Sequence, residues 1–189
     1  MSVISTAQAK AQLEIAASNT SLDAELQLYI DAATDLVERF IGPIEPRTVV
    51  ETVRGGRMLV LSVVPVVSLT TLVDPHGLLT MDVAASFVNS DSGLVREKLA
   101  TIGYADPTTA TYVAGRPDWV GDATPASVRL AALITLDHLW GTQRADARGE
   151  AGLGDQYTDQ RELAPGFGFA MPNRALALLQ KYRVPTGIA

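Results

Sequence analysis

Between Leu22 and Phe40 apolar residues return every three or four positions. Leu22, Leu26, Tyr29, Ile30, Ala33, Leu36, Val37 and Phe40 fall on one side of a helix that turns about 100° per residue, with Asp31, Asp35 and Glu38 opposite. Ser21 reads as the N-cap and Gly42 stands just past the end, so the pattern predicts a long amphipathic helix. A shorter helix is predicted over Ala7 to Ile15, capped by Thr6 and followed by a loop from Ala16 to Thr20. A second long one opens at Thr124-Pro125, a capping residue followed by proline in the first turn, and runs to about Arg144. A last short helix is predicted from Pro172 to about Tyr182, before the tail RVPTGIA.

In the middle third the period changes. Val49–Arg54 and Arg57–Leu61 are β-rich runs on either side of Gly55-Gly56, which reads as a two-residue hairpin connection. Val66–Val73 and Leu78–Val83 flank the turn sequence DPHG, and Phe87-Val88 and Leu94-Val95 flank NSDSG. Thr109–Ala114 reads as a closing strand. The fold class expected is therefore mainly α with a β insertion (α+β). It is a helical domain of two long helices plus short terminal helices, with a small antiparallel β region between the long ones. The boundaries expected within a single domain, 1–189, are helical 5–42 and 124–144, β-rich 48–114, a flexible glycine-rich loop 145–170, and a C-terminal helix and tail over 172–189.

Composition narrows the function classes. The chain has 189 residues, 47% of them hydrophobic, ample for a core. Its net charge of −6 argues against a general nucleic-acid binder, which presents a basic surface. Cysteine is absent, which removes disulfides and thiolate zinc sites. The N-terminal stretch lacks the basic region and long apolar core of a signal peptide. The most apolar run, Leu59 to Leu69, is broken by Ser62 and Pro65 and falls short of the roughly 20 residues of a spanning helix, so no membrane association is expected.

Candidate chemistry is sparse. In LDHLW, Asp137 adjoins His138, but neighbouring helix residues point about 100° apart and do not face each other. The positions one turn from His138 are Ile134, Thr135, Gly141 and Thr142, with no second ligand of the H-E-x-x-H kind. His76 sits in a turn. The acidic side Asp31, Asp35 and Glu38 reads first as a solvated face, with Asp35 and Arg39 at the acid-before-base i,i+4 spacing. No dinucleotide fingerprint, P-loop or nucleophile elbow is present, and no cofactor is implied. The helix around LDHLW is apolar over most of its circumference. Val128, Ala131, Ala132, Leu136, Leu139 and Trp140 cover one broad side, and Leu130 and Ile134 extend it, so the helix calls for covering on more than one side.

The order of these segments carries a resemblance. ISTAQAKAQLEI followed by SLDAELQLYIDAATDLVERFIG resembles the N-terminus of the phage head–tail connector (adaptor) family of long-tailed phages. LVLSVVPVVSLTTLVDPHG is similar to its next block, and TYVAGRPDWVGDATPASVRLAALITLDHLWGTQR to the block after that; together they cover most of residues 4–144. The resemblance implies a non-enzymatic virion protein of the neck, assembled in the host cytoplasm. It implies a homo-oligomeric ring, commonly of twelve subunits, beneath the portal protein. Such a ring extends the DNA channel and offers a platform to a stopper or tail-completion protein. Double-stranded DNA would pass without sequence-specific binding, and acidic groups toward the lumen would let it slide. On that basis Leu130, Ile134 and Trp140 are candidates for a subunit interface, with intramolecular core as the alternative role for each and Trp140 the one it suits best. Arg174, Tyr182, Arg183 and Val184 are candidates for portal docking, the other reading being that this segment packs on its own chain. Asp31, Asp35 and Glu38 are candidates for a lumen-facing acidic surface. The competing classes are another neck component, such as a stopper, and a small metal-dependent enzyme.

Overall fold

The computed structural model describes residues 2–74, 76, 80–98, 103–119, 121–145 and 171–183. The turn residues Pro75 and Gly77, all but the first residue of the 145–170 loop, and the tail from Val184 lie outside them. The described elements are helices α1 (Thr6–Gln12), α2 (Asp23–Ile41), α3 (Ala126–Ala145) and α4 (Asn173–Leu179), and strands β1 (Arg47–Val53), β2 (Met58–Val60), β3 (Val66–Val73), β4 (Thr80–Met81), β5 (Ser86–Val88), β6 (Leu94–Glu97) and β7 (Thr108–Ala114). They divide into two compact units: Met1–Val37 with Thr124–Lys181, and Glu38–Ala123 with Tyr182–Ala189.

The first unit is helical. α1 is held by a capping box one residue earlier than Thr6: Ser5 Oγ accepts from Gln8 N–H at 3.2 Å, and Gln8 Oε1 accepts from Ser5 N–H at 2.9 Å. α2 begins two residues after Ser21, whose N–H and hydroxyl both donate to Asn19 Oδ1, at 3.1 and 2.7 Å, in the preceding turn, so Ser21 is not its N-cap. Leu26, Ile30, Ala33 and Val37 of α2 are fully buried. Each large side chain among them is worth about 1.5–3 kcal/mol of transfer free energy. Lys10 is buried as well; its Nζ lies 2.6 Å from Asp23 Oδ1 and donates to Ala17 O at 3.4 Å, tying α1 and the loop to the start of α2. α3 buries Val128, Ala131, Ala132, Thr135, Leu136 and Leu139, and α4 packs on it through Ala175 and Leu179.

The second unit is built from two antiparallel sheets, one of order β1-β7-β3-β4 and one of order β2-β6-β5. Residues of both sheets meet in one core, with Leu59 from β2, Val95 from β6, Leu72 from β3 and Ala110 and Tyr112 from β7 all fully buried. β7 alternates buried and half-buried positions along its length, as a strand covered on one face does.

These sheets overturn the expected fold class. A mainly helical domain with a small β insertion is not what forms: among the described residues, seven strands make a β unit with a core of its own. Two features of the strand pairing account for the difference. Gly55-Gly56 does not close a hairpin, since β1 pairs with β7 and β2 with β6. A type I′ turn needs positive φ at both central residues, and here only Gly56 has it, at +132°. The pair serves close approach instead. A Cβ on Gly55 would lie 1.9 Å from Ala105 O, and Gly56 exchanges backbone hydrogen bonds with Tyr104. The strand read as closing the region, β7, does form, but it sits between β1 and β3 and pairs with both. The two local hairpins do form, β3 with β4 and β5 with β6.

Candidate functional site

The second unit has a cleft of about 600 Å³ whose lining includes Pro65, Ser68, Ser90, Asp91, Arg116 and Trp119. Local geometry places Arg116 there. Gly115, with φ +147° and its N–H on Pro65 O, turns the chain out of β7, and Arg116 N–H donates to Ile44 O. Arg116 Nη2 then donates to Ile41 O at 3.0 Å, a carbonyl of the last turn of α2, where a cation suits both the orphan acceptor and the helix dipole. The same nitrogen reaches Tyr182 O at 3.3 Å, and the guanidinium lies 4.4 Å above the Trp119 ring, which packs edge-on against Tyr182 at 5.0 Å. Burial pushes the Arg116 pKa down, and the neighbouring Asp91 and Tyr182 pull it back up. The arrangement clamps backbone. Nothing in the sequence pattern singled out Arg116 or Trp119, although both stand in the quoted segment GRPDW.

The residues expected to carry function are dispersed. Asp31 and Asp35 are exposed on α2; Asp31 accepts from Gln27 Nε2 at 2.8 Å, and no ion pair joins Asp35 to Arg39. Glu38 differs: its side chain is only 16% exposed, accepts from Ile44 N–H at 2.8 Å and lies 3.6 Å from Arg47. On α3, Leu130 is 42% exposed, Ile134 is half-buried, and Trp140 is half-buried and packs edge-on against Tyr29 at 5.1 Å. Tyr182 is held by Arg116 and Trp119, Arg183 lies over Phe40 at 5.6 Å, and Arg174 is exposed on α4. Val184 lies outside the described residues. His138 is half-buried in α3, and among the described residues no three His, Asp or Glu side chains gather as a metal site.

Two apolar surfaces went unnoticed in the sequence. On the outer face of the β2-β6-β5 sheet, Met58 and Phe87 flank Arg96 in register, and Val60 stands opposite Leu94. Met58, Val60 and Phe87 are 53%, 41% and 46% exposed, and Arg96 lies 5.0 Å over the Phe87 ring. On α2, Leu28 is 70% exposed, in line with Asp31 and Asp35. The alternation in MLV and LVRE shows which strand residues share a face, but not that the face stays uncovered.

By sequence the chain matches no family model and no curated protein. By structure it is similar to a chain in the neck of an empty GTA particle (a phage-like gene transfer agent) computed with C6 symmetry: TM-score 0.58, 19% identity, covering 97% of this chain and 90% of that one. It is similar also to a chain in the neck of a native GTA particle computed with C12 symmetry, at TM-score 0.56 and 20% identity, covering 98% and 93%. The chain shares its fold with these two neck chains. The likeness accounts for both units of the chain, the β unit that the sequence pattern undersold included.

Proposed function

We propose that this chain is a structural component of a virion neck, a head–tail connector that assembles into a ring beneath the portal, extends the DNA channel and receives a stopper or tail protein. The observation that carries the reading is the fold likeness to two neck assemblies over nearly the whole chain. The ordered resemblance of residues 4–144 to the connector family supports it independently. Of the three carboxylates assigned to a DNA-facing surface, Asp31 and Asp35 are exposed, whereas Glu38 takes the Ile44 N–H and lies beside the Arg47 side chain. Leu130 is the most exposed of the three residues assigned to a subunit contact. Trp140 fills its own unit against Tyr29.

The test is native mass spectrometry of the protein alone and mixed with the portal protein of the same genome. A closed ring, free or formed on the portal, is expected; a monomer that ignores the portal refutes the connector reading. Portal docking by the C-terminal segment needs a gentle variant, because Ala175 and Leu179 are core residues and removing α4 would open the helical unit. Arg174→Glu is expected to weaken portal binding at least tenfold while the thermal midpoint stays unchanged, since Arg174 is exposed on α4.

A second reading, as a stopper or tail-completion protein of the same neck, is favoured by the extent of the β unit, seven strands among the described residues. It predicts that the purified chain binds an assembled connector ring and not the bare portal.

A further inference from the structure

Arg96 stands unpaired in an apolar setting. Among the described residues no carboxylate lies within ion-pair distance of it, and its guanidinium lies over the face of Phe87. Around it, Met58, Val60 and Phe87 leave large parts of their side chains in water on one sheet face, with Leu94 half-buried beside them. An arginine lying over an aromatic ring, ringed by aliphatic side chains, has the composition of an interface centre. What fits it is an apolar knob with a carboxylate next to it, since a guanidinium takes a carboxylate in a planar, two-bond pairing.

The same chain carries that counterpart. On α2, Leu28 is the most exposed of its large apolar residues, at 70%. Asp31 and Asp35 follow at i+3 and i+7 on one side of the helix, and the neighbouring Ala24 and Ala32, also exposed, let another surface come close. One surface is apolar with a cation at its centre; the other is apolar with two anions beside it. Two different, complementary patches on identical chains make a head-to-tail contact, which closes into a ring when its rotation allows.

We infer that the Met58–Val60–Phe87–Arg96 face of one copy receives the Leu28–Asp31–Asp35 stripe of α2 from the next copy. Leu28 seats on the apolar side chains, and Asp31 or Asp35 takes the Arg96 guanidinium. The inference rests on the connector reading and assigns the surfaces by which its copies join.

The chain has no cysteine, so introduced thiols report this contact without background. Leu28→Cys and Phe87→Cys variants, made separately, are mixed under assembly conditions, with and without the portal protein, and oxidised. A covalent dimer containing one of each is expected, and the double variant is expected to give a ladder of covalent oligomers. A second arm exchanges charge. Arg96→Glu, or Asp31→Arg with Asp35→Arg, is expected to lower the assembled fraction about tenfold or more, as loss of an interface hot spot does. All three substitutions together are expected to restore assembly. These side chains are exposed, so circular dichroism should show each variant folded.

If native mass spectrometry finds rings while the thiols fail to pair and the charge variants assemble normally, the surface assignment is wrong and the connector reading stands. A disulfide formed within one chain likewise overturns the assignment. If no condition yields an oligomer, both readings fall together.

Discussion

Tyr112 donates its hydroxyl proton to Glu51 Oε1 at 2.8 Å and accepts the Val63 N–H at 3.1 Å, while Glu51 also takes the N–H and hydroxyl of Ser62. One buried phenol thereby pins the loop before β3 to β1 and β7. Burial, with Glu51 alongside, pushes its pKa up to about 12. The sign follows directly. The protonated phenol is the form the fold prefers, so its contribution is complete below the ordinary tyrosine value near 10 and is lost as pH rises through about 12. Tyr104, also pushed up by burial, acts in the same direction. Tyr112→Phe is expected to lose about 1.5–3 kcal/mol at neutral pH, as for a hydrogen bond to a charged group. Urea unfolding measured from pH 7 to 12 should show part of the wild-type decline above pH 10 missing in the variant. Gly42 is the other sensitive position: φ is +84°, and a Cβ would lie 2.0 Å from Val64 O. Gly42→Ala is expected to cost at least about 2 kcal/mol, with the backbone forced to shift, and to lower the thermal midpoint.

Among the elements, α4 is short but its inner face is committed. Leu179→Ala is expected to cost about 2–5 kcal/mol, whereas Leu28→Ala on the exposed side of α2 should change monomer stability by under about 0.5 kcal/mol. Chemical denaturation of the two variants side by side checks the contrast between a buried and a merely apolar leucine. The elements also mark how far the sequence was legible. Helices announce themselves through neighbours three and four residues apart, and Leu26, Ile30, Ala33 and Val37 of the α2 stripe are buried as their spacing requires. The β3–β4 and β5–β6 pairings were equally local, with turn residues between them. The pairing of β1 with β7 was not, since Arg47 faces Ala114 and Val53 faces Thr108 across the whole β region. No periodicity encodes such a partner. A glycine pair that reads as a hairpin points to the wrong neighbour, so the seven strand segments are legible but the two sheets they build are not. The site residues show the same limit. Glu38 shares a helical spacing with Asp31 and Asp35, yet the turn at Ile44 folds back onto it and takes it out of the acidic face.

For the molecule as a whole, charge is the property most open to test. At −6, with exposed carboxylates on α2, the protein is expected to leave duplex DNA unshifted in a gel at about 0.15 M salt, where non-specific binding depends on cationic contacts. Mg²⁺, Ca²⁺ and Zn²⁺ at millimolar concentration are expected to leave the thermal midpoint unmoved, since a tight site would raise it by mass action. A clear rise would revive the metal-dependent class set against LDHLW and the acidic face.

The position of β7 has a consequence for synthesis. β1 and β3 have no partner in each other; both wait for a strand whose first residue is Thr108. While the ribosome makes the intervening residues, two β-branched strands stand with open hydrogen-bonding edges, for several seconds at ordinary elongation rates. The helical unit waits longer still, because Leu179 completes its core. The nascent chain therefore pairs its sheets before it completes its helical core, and until residue 114 emerges two open strand edges are exposed to misassociation with neighbours on the same message.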